Sequence, residues 1–278
     1  MARFLASRDD PDGCDWQILG LPYDATSSYR RGARFGPSEI RIASDSIETY
    51  SPYCQRDLED LAFRDAGDLK ITFEEPDEAV RIISDYYEAE TGKGRRILGI
   101  GGEHTVTIGA IQGLSRSGLR PHVLHLDAHF DLRFEYAGGR NSHACVAARI
   151  AEIVGPERLM QWGMRSGERR EFEWADQHGT FSGREIAELY EAMSKLGDRP
   201  VYLSLDLDLF DPAEMPGVGN PEPGGLKFTE FMILLPELGK LNIIGADVVE
   251  FAPVLDLSGR SAVMAAEIIR ELLLNIAT

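Results

Sequence analysis

Continuous apolar runs alternate with amphipathic stretches along most of the chain, and this pattern predicts strands that are followed by helices. The apolar runs lack strict in–out alternation, which is typical of parallel strands buried on both faces. The predicted strands are Trp16–Leu21, Arg96–Ile100, His122–Asp127, Leu159–Gly163, Val201–Asp208 and Ile243–Phe251. Apolar residues at helical spacing predict helices over Pro76–Thr91, Thr105–Ser115, Ala144–Val154, Arg184–Lys195, Thr229–Leu238 and Arg260–Leu274.

Strands that alternate with helices in this way favour an α/β protein with three layers, helix–sheet–helix. No repeat of fixed period and no low-complexity linker divides the chain, so we expect one domain over residues 1–278. The segment Pro212–Gly225 is rich in proline and glycine but follows a predicted strand directly. We therefore interpret it as a functional loop and not as a linker.

Charge and composition narrow the classes of partner. The 278 residues include 29 Lys and Arg against 46 Asp and Glu, a formal net charge of −17. Such a field repels nucleic acid and attracts small cations. No apolar run approaches the roughly 20 residues that span a bilayer, and the N-terminus lacks the apolar core of a secretory signal. Three scattered cysteines indicate no disulfide framework, so we expect a reduced, cytoplasmic protein that binds neither membrane nor nucleic acid.

The first chemical cluster is Asp127, His129 and Asp131, which follows the predicted strand HVLHL. Positions i, i+2 and i+4 of an extended segment share one face, so these side chains can converge. Sites in open α/β sheets lie beyond the carboxyl ends of the strands. The alternative is that the carboxylates cap a helix beside a surface histidine.

A second cluster, Asp206 and Asp208, follows the apolar strand VYLSL. Two uncompensated carboxylates on one face repel each other strongly at low dielectric. Their proximity therefore favours a bound cation, unless a Lys or Arg from elsewhere in the fold neutralises them.

The third cluster is Gly101-Gly102-Glu103-His104, between a predicted strand and a predicted helix. Glycines allow a tight turn there, and His104 would face the same edge as the aspartates. No GxGxxG pattern or Walker lysine accompanies the glycines, which argues against a phosphate-binding loop.

Together the clusters offer two histidines, four aspartates and no thiolate. Oxygen-rich ligation with imidazole favours Mn²⁺ and disfavours a structural Zn²⁺ site. Six ligands exceed the need of one catalytic ion. They suit two ions about 3.5–4 Å apart that share bridging carboxylates and activate a bridging water.

In this order, GGEHT, DAHFD and SLDLDLFDP resemble the ureohydrolase family of arginases and agmatinases. The segment GLPYDATSSYRRGARFGPSEIR, the loop PGVGNPEPGG and the tail DVVEFAP are similar to the same family, so the resemblance runs from about Gly20 to the last helix. It implies an arginase-like αβα fold around a parallel sheet of eight strands. It also implies a homo-oligomer, either a trimer or a hexamer.

The resemblance implies a role for each matching residue. One Mn²⁺ would be held by His104, Asp127, Asp131 and Asp206, and the other by Asp127, His129, Asp206 and Asp208. Glu250 would hold the guanidinium, and His143 would lie near the substrate and shuttle protons. Asp131 would relay a proton to the leaving amine. The implied catalytic residues are thus Asp131, His143 and Glu250, of which the last two also bind substrate.

The implied reaction is hydrolysis of a guanidino group by a metal-bridging hydroxide, with release of urea. The pattern DLRxEY…SHA, over residues 131–144, is similar to agmatinases, which predicts agmatine as substrate, putrescine as product and a place in polyamine biosynthesis. Glu135 or Glu222 would favour a distal cation, whereas Arg133 and Arg140 would favour a distal carboxylate.

Other substrates of the same family stay open: aminopropylagmatine, guanidinobutyrate, arginine and formiminoglutamate. Two other classes are a single-zinc deacetylase of related fold and a binding protein without activity. Intact His104 and Asp208 speak against the deacetylase, and the complete ligand set speaks against the binding protein. Cys145 stands where relatives often have Thr, and we interpret it as a buried, unreactive thiol.

Overall fold

A twisted parallel sheet forms the centre of the protein. The computed structural model describes residues 2–10, 13–181 and 183–277. Within them the strands of the sheet follow the order β4-β1-β5-β9-β8-β6-β7, and every neighbouring pair is parallel. The strands are β1 (Trp16–Leu21), β4 (Phe63–Asp68), β5 (Arg96–Gly101), β6 (His122–Leu126), β7 (Leu159–Trp162), β8 (Pro200–Asp206) and β9 (Asn242–Val249). A separate antiparallel pair comprises β2 (Tyr50–Ser51) and β3 (Arg56–Asp57).

Helices cover both faces of this sheet. They are α1 (Gly36–Ser44), α2 (Pro76–Thr91), α3 (Val106–Arg116), α4 (Val146–Val154), α5 (Arg169–His178), α6 (Ile186–Ser194), α7 (Phe228–Leu238) and α8 (Arg260–Ile276). One apolar core contains residues of α1, α6, α7 and α8, and a second contains residues of α2, α3 and α4. The three-layer α/β fold is therefore confirmed.

Each of the six predicted strands is present, with ends that differ by a few residues at most. The largest differences are two residues, in the runs predicted as Ile243–Phe251 and Val201–Asp208, because β9 ends at Val249 and β8 at Asp206. After β8 the Asp206 carboxylate accepts a hydrogen bond from the Asp208 backbone N–H, which caps a 3₁₀ turn over Leu207–Leu209. This turn separates the two aspartates and aims them differently.

The sheet has seven strands within the described residues, whereas eight were expected. The place beside β7 holds a single parallel bridge between Gln161 and Phe181, with the Gln161 N–H donating to the Thr180 carbonyl at 2.8 Å. Among the described residues, this bridge is the only β pairing of β7 on that side.

Two of the elements that the sequence pattern did not predict, β4 and α5, are polar. β4 reads FRDAGD and has no apolar run, and α5 buries only Glu171 and Ala175. Among the residues that the structure describes, no helix is both long enough and apolar enough to cross a bilayer.

A buried ion cluster ties α1 to the edge strand β4. Arg41 is 1% exposed, and its guanidinium donates to both carboxylate oxygens of Asp65 at 2.7 and 2.9 Å and also to Asp68. The same Asp65 carboxylate accepts the backbone N–H groups of Phe4 and Gly67. The charged pair is thus fully hydrogen-bonded, which is the condition under which buried charges are tolerated.

We expect Arg41→Met to lower the free energy of unfolding by about 3–5 kcal/mol, because it leaves the Asp65 charge buried without a partner. Urea denaturation measures the loss. The matched control is Arg81→Met, whose pairs with Glu78 and Asp85 are exposed, and its loss of stability should be much smaller than that of Arg41→Met. An equally small loss in Arg41→Met would contradict the importance of the buried pair.

Candidate metal centre

The candidate site lies where four adjacent strands end. His104 follows β5, Asp127 follows β6, Asp206 ends β8 and Glu250 follows β9. These strands are neighbours in the order β5-β9-β8-β6, and all are parallel. Their carboxyl ends therefore meet at one edge, where sites form in open α/β sheets.

Three carboxylates surround one nitrogen of His104. Its Nδ1 atom lies 3.1 Å from Asp127 Oδ2, 3.2 Å from Asp206 Oδ2 and 3.4 Å from Asp131 Oδ2. The nitrogen is buried and makes no hydrogen bond, while the other ring nitrogen lies 2.9 Å from Ser204 Oγ. A buried polar atom without a hydrogen bond is costly, and one that faces three carboxylates fits the coordination of a cation.

A second group of ligand atoms lies beside the first. His129 Nδ1 is 2.9 Å from Asp208 Oδ2 and 3.6 Å from Asp127 Oδ1. The ligand atoms of Asp127, His129 and Asp208 lie within 4.8 Å of one another, as do those of His104, His125, Asp127 and Asp131. Asp127 belongs to both groups, which is the arrangement that a bridging carboxylate between two ions requires.

Backbone hydrogen bonds fix the carboxylates from behind. Asp127 Oδ1 accepts the N–H of His129 at 2.6 Å, and Asp208 Oδ1 accepts the N–H of Ala128 at 3.2 Å. Asp131 and Glu250 hold positive φ values of 51° and 67°. Non-glycine residues rarely adopt this conformation, and such strain concentrates at functional sites.

The two histidines are held in a strongly negative environment. Burial disfavours the charged form of His104, but the carboxylates around Nδ1, Asp127 foremost, outweigh it and raise the pKa of His104 well above its usual range. Burial likewise opposes the charge of His129, whereas the negative charge of Asp208 raises the pKa of His129 well above the usual range. The carboxylates therefore favour a positive charge beside both rings, which a metal ion would bring.

The carboxylates respond in opposite directions. Burial disfavours the charge of Asp127, yet the neighbouring rings of His104, His125 and His129 outweigh it and hold the pKa of Asp127 well below the usual range. Burial and the charges of Asp208 and Asp127 raise the pKa of Asp206 well above its usual range. The cluster thus lacks positive charge, as expected for a site built for cations.

His125 also lies in the cluster, although we assigned it no ligand role from the sequence. Gln161 Nε2 lies 3.2 Å from His125 Nδ1 and donates to the carbonyl of Phe130 at 2.8 Å. Since the amide nitrogen can only donate, His125 Nε2 carries the proton and donates to Asp127 Oδ2 at 2.8 Å. His125 thus orients a candidate ligand. The sequence signal for this contact is that His125 lies two residues before Asp127, which places both side chains on one face of the extended segment.

A cavity of about 480 Å³ opens above this cluster, with His129, Asp131, Asp206 and Asp208 among its lining residues. Glu250 lines it as well, and its Oε1 accepts the backbone N–H of His104 at 2.8 Å. Burial and the nearby charge of Glu103 raise the pKa of Glu250 well above its usual range. The cavity beside this carboxyl group therefore suits a cationic ligand.

His143 lies on the cavity wall between two hydroxyl groups. Its Nδ1 is 3.2 Å from Thr26 Oγ1 and its Nε2 is 3.1 Å from Ser28 Oγ. Burial lowers the pKa of His143, which favours a neutral ring at pH 7. Thr26 also donates to Glu103, whose pKa burial raises to about 7.

The residues proposed for the distal end of a substrate separate in the structure. Glu222 and Arg133 line the cavity, and Glu222 Oε1 lies 3.7 Å from His129 Nε2. Arg133 pairs with Glu168 at 3.3 Å. Arg140 instead pairs outside the cavity with Glu152, and Glu135 is exposed.

Two smaller expectations are borne out. Cys145 is fully buried, and burial raises the pKa of its thiol to about 11. Asn220, Pro221 and Glu222 line the cavity, so the segment Pro212–Gly225 contributes to the site as a loop.

Several known proteins are similar to this chain in sequence and in fold. The sequence model of the arginase family, described as "Arginase family", matches residues 14–275. The agmatinase of Bacillus subtilis is 42% identical over 276 residues, covering 98% of this chain and 95% of the relative. The guanidinobutyrase of Pseudomonas aeruginosa is 33% identical, covering 94% and 86%. The crystal structure of the agmatine ureohydrolase of Thermoplasma volcanium superimposes with a TM-score of 0.90 at 30% identity, covering 100% and 94%. The chain therefore belongs to the arginase family.

Proposed function

We propose that the protein is a dimanganese agmatinase that hydrolyses agmatine to putrescine and urea. As an arginase-family member it is a hydrolase of guanidino carbon–nitrogen bonds. The observation that carries the proposal is His104 Nδ1, a buried nitrogen without a hydrogen bond that faces three carboxylates. This cluster lies at the base of a cavity that fits a small molecule.

The donor set fits two Mn²⁺ ions. His104, Asp131 and Asp206 would hold one ion and His129, Asp208 and Asp206 the other, with Asp127 shared. Carboxylate oxygens with imidazole nitrogens and no thiolate favour Mn²⁺. When bound, two such cations lower the pKa of water and supply a nucleophile at neutral pH.

Glu250 would hold the guanidinium. A planar guanidinium pairs with a carboxylate through two parallel hydrogen bonds, which fixes its orientation. One Glu250 oxygen is anchored by the His104 N–H, and the residue lies at strained positive φ. The carboxylate is thereby held rigidly toward the cavity.

Proton transfer would fall to Asp131 and His143. Asp131 lines the cavity beside the candidate ligands, so it can take the proton of the attacking water and pass it to the leaving nitrogen. His143, neutral because its pKa is lowered, can accept a proton and exchange it with bulk water through the hydroxyl of Ser28.

The free end of the cavity favours a second positive charge. Glu222 makes no salt bridge to Lys or Arg among the described residues, whereas Arg133 pairs with Glu168 and stacks on Tyr136. The distal ammonium of agmatine would therefore meet Glu222. The second candidate is guanidinobutyrate, because Arg133 lines the cavity and a guanidinobutyrase is among the relatives.

We further propose that residues 1–278 form one catalytic domain of a cytoplasmic trimer or hexamer. The family match over residues 14–275 supports one domain. Phe73 and Leu257 are almost wholly exposed, and such apolar side chains are suited to contacts between subunits.

Urea release from a panel of guanidino compounds tests the proposed reaction. With Mn²⁺ bound, agmatine should be the best substrate by kcat/KM, ahead of guanidinobutyrate, aminopropylagmatine and arginine. A chelator should abolish the activity, and added Mn²⁺ should restore it, since the nucleophile depends on the metal. Preference for guanidinobutyrate would overturn the substrate, and activity that survives complete metal removal would overturn the mechanism.

Glu222→Gln tests recognition of the distal ammonium. We expect KM for agmatine to rise about fivefold to tenfold with little change in kcat, because the contact is the same in ground state and transition state. KM for guanidinobutyrate should fall, because a negative charge is removed near its carboxylate. Glu135→Gln is the matched control and should leave both constants unchanged. Equal effects on the two substrates would refute this role of Glu222.

A further inference from the structure

A buried polar chain leads away from the candidate metal centre behind His104. His104 Nε2 lies 2.9 Å from Ser204 Oγ, and Ser204 Oγ lies 2.7 Å from Asp247 Oδ1. His104 is 1% exposed, and Ser204 and Asp247 are fully buried. Ser204 and Asp247 are register partners on β8 and β9, so the sheet itself fixes their separation.

Asp247 is held as a hydrogen-bond acceptor. Its Oδ2 accepts the hydroxyls of Tyr202 at 2.7 Å and Thr107 at 2.8 Å, while Oδ1 faces Ser204. Burial raises the pKa of Asp247, and the three hydroxyl donors around its carboxylate oppose that shift by stabilising the ionised form. An ionised carboxylate can only accept, so each of these hydroxyls donates to it.

The direction of these hydrogen bonds determines the tautomer of His104. Ser204 has one hydroxyl proton, and Asp247 takes it. The Ser204 oxygen must then accept a proton from His104 Nε2. With a metal ion bound, the imidazole is neutral and carries one N–H, so the lone pair is on Nδ1, the atom that faces three carboxylates and makes no hydrogen bond.

We propose that Asp247 is a positioning residue that acts through Ser204 to present the Nδ1 lone pair of His104 to a metal ion. The inference rests on the proposed metal centre and adds two residues, Ser204 and Asp247, that were assigned no role from the sequence. It explains why a charged residue stands inside β9, whose neighbouring positions 246 and 248 are apolar and buried. A hydrogen-bonded partner that fixes ring orientation strengthens metal binding.

Asp247→Asn should reverse the direction of the hydrogen bonds that link residue 247, Ser204 and His104, with almost no change in side-chain shape. The amide oxygen is favoured where two hydroxyls converge, which leaves the NH₂ group facing Ser204. Ser204 then donates to His104 Nε2, and the ring proton moves to Nδ1, where it blocks a metal. Equilibrium titration of the metal-free protein with Mn²⁺ should show the site that contains His104 weakened about 10- to 100-fold, while the His129 site keeps its affinity.

Tyr202→Phe separates positioning from simple stability. It removes one hydrogen bond from the same carboxylate but leaves the link to Ser204 intact. The thermal unfolding temperature of Tyr202→Phe should fall by about as much as that of Asp247→Asn. Its Mn²⁺ affinity should nevertheless stay within about threefold of the unmodified protein, because the partner of the ligand is unchanged.

The double variant Ser204→Ala with Asp247→Asn tests whether Asp247 acts through Ser204. If it does, Asp247→Asn adds no further loss of Mn²⁺ affinity in the Ser204→Ala background. Additive losses would overturn the proposal, as would two unweakened sites in Asp247→Asn or an equal loss in Tyr202→Phe. The readout is metal affinity, so a protein that binds two Mn²⁺ but releases no urea would refute the agmatinase function and leave this inference standing.

Discussion

The structure depends on the burial of several aspartates at one point of the sheet edge. Asp127, Asp206 and Asp208 are almost inaccessible to solvent, and Asp131 is only slightly exposed. Like charges so close in a low dielectric are tolerated only with compensating cations. The parallel strands bring these residues together, the backbone N–H groups orient them, and the histidines among them direct ring nitrogens toward them. Each of these features is what a pair of metal ions requires, and an apolar core needs none of them.

The same negative charge would favour a cationic ligand in the cavity. A cationic guanidino compound would be drawn toward an acidic surface and then toward Glu250 and Glu222, which both line the cavity. Arg133 also lines the cavity, and it pairs with Glu168, which Arg170 shares. In the proposed function, electrostatics therefore connects the metal centre, the orientation of the guanidinium and the preference for a second cation.

Local sequence revealed much of this arrangement, because the ligands follow apolar strands at i, i+2 and i+4 spacing and parallel strands share their carboxyl edge. It did not reveal contacts between distant residues. β4 was missed since its polar Asp65 is satisfied by Arg41 on another element, and Asp247 resembled no ligand because its partner Ser204 lies on the next strand. His125 was assigned no ligand role, and the fold shows that it hydrogen-bonds Asp127. Among the described residues, the place of the expected eighth strand holds one bridge, between Gln161 and Phe181.

The central claim is that these carboxylates and histidines hold two metal ions. X-ray diffraction from crystals grown with Mn²⁺, measured near the manganese absorption edge, tests it directly. The account predicts two anomalous peaks about 3.5–4 Å apart, one in contact with His104 Nδ1 and the other with His129 Nδ1, and both in contact with Asp127. A single peak, or His104 turned so that Nδ1 hydrogen-bonds to protein instead of metal, would contradict it.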